Sequence, residues 1–228
     1  MAPVDPAPRP CYRFRMKITA DSPAVLHLKK KDRRFAAVIG AIGDIDCGDP
    51  PDAFAFIARE IVEQMLSIKA ADCIRGRIAA LTGGQFTPQA LLALSKEDLR
   101  AAGMSMRKAE SLLGFAAAVA EGRLDLDALP PLSDGEIMAR LTALRGIGPW
   151  TAKMYLLAVL RRQDVLPFED GAFMQSFRWL YGLRAPDRET VLRRCKKWKP
   201  YSSVAALYLY RALDMGMTKL PPPAPAKG

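Results

Sequence analysis

Between about residue 23 and residue 215, apolar residues recur every three or four positions, the spacing that gives a helix one buried face. Phe54, Ile57, Ala58, Ile61, Met65 and Ile68 predict a helix over 53–68. Ile74, Ile78 and Leu81 predict another over 71–81, stopped by Gly83-Gly84. Thr87 and Ser95 stand where the N-caps of two short helices belong. Ala109, Leu112, Leu113 and Ala116 mark a helix over 105–120, and Ser133 with Glu136 gives the spacing of a capping box at the start of 133–144. Further helices are expected over 150–161, 171–182, 187–197 and 202–215. Only residues 11–19 alternate apolar with basic, as one strand or an extended arm would. About ten helices without a strand partner predict an all-α fold. There is neither a heptad run nor a repeat of fixed period.

Eight of the 18 prolines fall in residues 1–10 and 221–225, which reads as two disordered tails. The expected organisation is an arm over 1–22, a helical domain over 23–215 and a Pro-rich tail over 216–228. The 228 residues suffice for a real core. No apolar run spans a bilayer and no signal peptide opens the chain, so a cytoplasmic protein without membrane contact is expected. The four cysteines form no CxxC pair, which removes zinc-ribbon and iron–sulfur spacings. The lone His27 cannot build a His-based metal site or, by itself, a Ser/His/Asp triad. Catalysis would have to run on carboxylates, Lys, Tyr or backbone dipoles.

The charge points to a partner. There are 34 Lys+Arg against 24 Asp+Glu, a formal net charge of +10, and a chain this basic usually meets nucleic acid. The excess is local: residues 140–220 hold 15 Lys+Arg and 6 Asp+Glu, or 15 − 6 = +9. The Lys29–Arg34 run is a separate cluster that reads as a solvated helix face. Within the basic region, residues 137–160 read as helix, break and helix, the break being Gly146-Ile147-Gly148-Pro149. Two glycines allow backbone angles that a side chain resists, Ile147 can fold into the groove between the helices, and Pro149 suits a first helical turn. The amides of that helix start can bind a phosphate without reading bases. An ordinary αα-hairpin with a Gly-rich turn has the same outline.

The longer phrase Leu144-x-Gly146-Ile147-Gly148-x-Trp150-Thr151-Ala152 resembles the helix–hairpin–helix motif. About twenty residues later, Asp164-Val165-Leu166-Pro167-Phe168-Glu169-Asp170-Gly171 resembles the segment ending in a catalytic Asp in the helix–hairpin–helix–GPD superfamily of DNA glycosylases. Gln64-Met65-Leu66-Ser67, Gly103-Met104-Ser105-x-Arg107-Lys108-Ala109 and Trp198-Lys199-Pro200-Tyr201-Ser202-Ser203-x-Ala205 are similar to three further blocks of that family, within it the bacterial 3-methyladenine DNA glycosylase II branch. The closing block departs from the pattern at Tyr201 and Ser202, where Trp and Arg are usual.

The resemblance implies two helical subdomains with the active-site cleft between them, and a DNA glycosylase that flips and excises a damaged base, an alkylated purine such as 3-methyladenine. Deaminated or oxidised bases, or DNA binding without catalysis, are the alternatives. It implies Asp170 as the catalytic carboxylate; read from the residues alone, Asp170 is the N-cap of the helix over 171–182. The DNA backbone would be held by Gly146, Gly148, Trp150 and Thr151, with Trp150 also supporting the hairpin helix. Met65 would be the wedge that fills the gap left by the flipped base, although it also fits the apolar stripe of its own helix. Met154, Tyr155 and Tyr210 would line the base pocket, although aromatic residues in helices are usually core. Trp150 occupies the position at which bifunctional members carry a Schiff-base Lys, and Lys153 lies three residues further on, so the resemblance implies a monofunctional enzyme. No cofactor is implied as required. A structural Na+ or K+ at the hairpin would sit on the backbone carbonyls of Thr142, Leu144 and Ile147. The partner would be double-stranded DNA with a damaged base, bound by a monomer.

Overall fold

A computed structural model describes residues 17–222 and residue 224; most of the arm expected over residues 11–19, with Cys11, lies outside them. The described residues form twelve α-helices and one two-stranded antiparallel ladder. The chain divides into two compact units, one comprising residues up to 50 and from 161 onward, the other residues 51–160.

The discontinuous unit begins with β1 (Lys17–Ile18), which pairs with β2 (Ile45–Asp46). Only this end of the alternating segment is strand, and its partner has no alternation long enough to read. Between the strands run α1 (Pro23–Lys31) and α2 (Arg33–Ile42). After the other unit come α10 (Gly171–Tyr181), α11 (Arg188–Cys195) and α12 (Ser202–Asp214), with α12 against α2 and α10. Trp198 is fully enclosed at the centre, its ring 5.2 Å from Phe35, 6.0 Å from Phe177 and 6.4 Å from Tyr181.

Beside those rings lies Asp32, only 3% exposed. It caps α2 through Arg34 N and Phe35 N, accepts from the Tyr181 hydroxyl and from Trp198 Nε1 at 3.3 Å, and pairs with Lys197 Nζ at 2.9 Å. The basic run 29–34 is therefore not one solvated face. Its single acidic residue breaks α1 from α2 and is spent inside the unit. The expected tail also differs: a 3₁₀ turn spans Met217–Lys219, and Leu220 O accepts from Trp179 Nε1 at 3.0 Å.

The continuous unit holds α3 (Ala53–Glu63), α4 (Ile68–Leu81), α5 (Pro88–Leu92), α6 (Lys96–Ala101), α7 (Met106–Ala120), α8 (Asp134–Thr142) and α9 (Pro149–Ala158). Every helix from α3 to α8 has a Ser, Thr or Asp side chain accepting at its N-cap, and Ser95 and Ser133 complete capping boxes. α3 packs on α7 and α9, and Phe54 stacks on Phe115 at 4.9 Å.

The helix expected over 53–68 ends at Glu63. Gln64 turns extended, Met65 adopts φ 57°, and Ser67 caps α4 by accepting from Ala70 N. A serine hydroxyl competes with helical continuation and wins at a cap. The apolar period runs through the break, because Met65 and Ile68 happen to keep it.

Candidate active site

The hairpin is α8, the turn 143–148 and α9. Gly146 sits at φ +91°, and a Cβ placed there would lie 2.4 Å from Ser111 Cβ. Glycine is therefore demanded twice, by the backbone angle and by the close approach of α7. Gly148 corrects the expectation for the second glycine. Its φ of −92° suits any residue, and nothing lies within 4 Å of the space a Cβ would take. As the N-cap of α9 it offers no side chain, and the next residue is Pro149. The first turn of α9 thus carries no side-chain cap, an arrangement suited to an anion from outside. Ile147 is buried, as expected.

Thr151 enters the site through its backbone alone. Its side chain is 1% exposed and its hydroxyl accepts from Gln64 Nε2 at 3.2 Å, so it is turned inward and only its amide shares the helix start. Trp150 is half-buried. Of the three carbonyls expected to hold an ion, Leu144 O accepts from Ile147 N at 3.1 Å, while those of Thr142 and Ile147 accept no hydrogen bond from the described residues. Carbonyl oxygens are hard donors of the type that a hard cation takes.

Met65 is fully exposed, so the stripe reading does not hold for it. Its turn is fixed on both sides. The Gln64 side chain donates to Gly146 O at 2.9 Å as well as to Thr151 Oγ1, and Lys108 Nζ donates to Val62 O at 3.0 Å and to Gln64 O. The turn that carries Met65 is thereby tied to the hairpin turn within one unit. Gln64 and Lys108 lie inside the family-like blocks, and no local pattern gives either a role. The partners of Gln64 lie 82 and 87 residues away and those of Lys108 46 and 44, beyond any local pattern.

Met154 and Tyr155, expected in the base pocket, lie inside α9's packing. They are 0% and 1% exposed, and burial, with the charges of Asp127 and Asp52, pushes the Tyr155 phenol up to about 12. α9 is enclosed on nearly all sides from Thr151 to Ala158, so both side chains belong to the core. Tyr210, on α12, remains half-buried.

Asp170 is the N-cap of α10. Its Oδ1 accepts from Phe173 N at 2.7 Å and the residue is half-buried, whereas Glu169 is exposed. The loop leading to it is held by the closing block. Ser203 Oγ donates to Arg162 O and accepts from Val165 N at 2.9 Å, Ser203 N donates to Gln163 O at 2.9 Å, and Asp164 takes Ser202 Oγ and Lys199 Nζ. Ser202, a departure from the family pattern, thus has work of its own in binding Asp164. The structure brings Gln64, the neighbour of Met65, together with Gly146 and Thr151, and sets Asp170 and Tyr210 on two helices, α10 and α12, that pack together.

Residues 58–200 match the family of HhH-GPD superfamily base excision DNA repair proteins. DNA-3-methyladenine glycosylase 1 of Schizosaccharomyces pombe is 30% identical over 85% of this chain and 88% of its own length. DNA-3-methyladenine glycosylase 2 of Escherichia coli is 30% identical over 76% of this chain and 64% of its own. Among solved structures, DNA-3-methyladenine glycosidase from Bacillus halodurans superposes with a TM-score of 0.78 at 36% identity, covering 90% of this chain and 95% of that one.

Proposed function

The chain belongs to the HhH-GPD superfamily of base excision DNA repair proteins, and we propose that it is a monofunctional DNA glycosylase that removes alkylated purines from duplex DNA and acts as a monomer. The observation that carries the reading is Asp170, a carboxylate fixed at a helix start by its own cap bond. As the C1′–N bond breaks, the base leaves with the bonding electrons and positive charge grows on the sugar. A fixed carboxylate stabilises that charge with little reorganisation. Water then adds to C1′ and gives up a proton, leaving a free base and an abasic site. Trp150 supplies no amine for a Schiff base, which supports hydrolysis without strand cutting.

The uncapped start of α9 holds a backbone phosphate, and Met65 enters the stack as the base leaves it. The carbonyls of Thr142, Leu144 and Ile147 would hold Na+ or K+, adding positive charge beside that phosphate.

Duplexes carrying one lesion each, assayed with and without alkali, test the function. Release of an alkylated purine with strand breaks only after alkali is expected. Absence of any base release would sink the enzyme reading, and nicking without alkali would sink the monofunctional one. Asp170→Asn is expected to lose excision and keep affinity for abasic-site DNA; retained excision would remove Asp170 from the mechanism.

A further inference from the structure

We propose that Lys108 is a positioning residue for base extrusion, clamping the end of α3 so that Met65 stands out from the surface. The inference rests on the wedge reading of Met65. Three observations carry it. First, Lys108 Nζ donates to two backbone carbonyls, Val62 O at 3.0 Å and Gln64 O, at the C-terminal end of α3. A cation there satisfies orphan carbonyls and meets the negative end of the helix dipole. Second, Met65 is fully exposed at φ 57°. A large apolar side chain in the left-handed region is unfavourable on both counts, and such strain persists only where the surroundings over-determine it. Third, the residue between these features, Gln64, is held from the other side by its amide bonds to Gly146 O and Thr151 Oγ1. The turn is clamped by an ammonium and by the hairpin, with Met65 next in the chain.

The position of Lys108 is itself set locally. Ser105 caps α7 by accepting from Lys108 N, and Gly103 precedes it at φ +108° against Ile74. Lys108 forms no ion pair with a carboxylate among the described residues. Its ammonium is half-buried, and the loss of water holds its pKa below the ordinary Lys value. An ammonium partly stripped of water and directed at one turn is a costly device for an ordinary helix end, where water or a glycine suffices.

A double-mutant cycle tests this on the full chain, with Met65→Ala, Lys108→Met and both together. Two quantities are read: single-turnover excision of an alkylated purine from a duplex, and the fluorescence of 2-aminopurine placed beside the lesion, which rises when the neighbouring base leaves the stack. If Lys108 acts through Met65, each single variant loses excision and the fluorescence rise on the order of tenfold to a hundredfold, and the double variant is no worse than Met65→Ala. Lys108→Arg, which can reach both carbonyls, is expected to restore most of the loss. Affinity for undamaged duplex at fixed salt should change by less than about twofold. Multiplicative losses in the double variant, or a full fluorescence rise in Lys108→Met, overturn the inference. Should Lys108→Met fail to fold, Lys108→Gln carries the cycle, with the same two outcomes deciding it. An inactive wild type instead overturns the glycosylase reading, and a fully active Met65→Ala overturns the wedge.

Discussion

Met65 holds a backbone angle that side chains resist and buries nothing in return. Met65→Gly should therefore keep or raise stability, by up to about 1 kcal/mol, while lowering excision from duplex DNA. Urea unfolding beside an excision assay checks both; a clear loss of stability would mean that the side chain supports the turn. Asp32 is the opposite case, a carboxylate spent wholly inside. Burial alone pushes its pKa up, but hydrogen bonds from Tyr181 and Lys197, the Lys197 charge and Trp198 outweigh it, so the net shift is downward. A group whose folded pKa is lowered stabilises the fold above its unfolded pKa, about 4, and that stability is lost as pH falls through the folded value. Asp32→Asn is expected to cost about 3–5 kcal/mol at neutral pH and to flatten the acid limb. Unfolding midpoints measured from neutral to acid pH test this; an unchanged acid limb would remove Asp32 from it.

The hairpin separates two glycines that look equivalent in sequence. Gly146→Ala meets both Ser111 and a positive φ, and should cost about 2–5 kcal/mol. Gly148→Ala has open space and an ordinary angle, so its folding stability should hold while DNA affinity falls on every substrate, since a methyl group there obstructs a phosphate and reads no base. Melting curves with binding to damaged and undamaged duplexes distinguish the two. The helices were legible because caps and periodicity are local: Ser95, Ser105 and Ser133 start their helices where the sequence places them. The break after α3 was not, because the period of its apolar residues continues across it. The burial of Met154 and Tyr155 was not either, because a helix apolar all round has no face to read. Asp170 was legible as a cap from its residue type and as chemistry only through the resemblance.

Across the whole chain, composition overstates the charge available to DNA. Lys197 is paired with Asp32, Lys199 with Asp164 and Arg145 with Glu110, and all three were counted in the basic region 140–220. Lys153 is half-exposed on α9, the helix whose start is proposed to hold the phosphate. Each phosphate neutralised contributes about 0.9 to the slope of log affinity against log salt. If Lys153 meets that phosphate, Lys153→Met lowers the slope by roughly 0.9. Lys197→Met should leave the slope unchanged and lower the melting temperature, because it leaves Asp32 buried with its cation removed. Fluorescence anisotropy on an undamaged duplex between about 50 and 200 mM salt reads both slopes. Equal slopes for the two variants would mean that the basic region acts as a diffuse field and the hairpin as no special part of it.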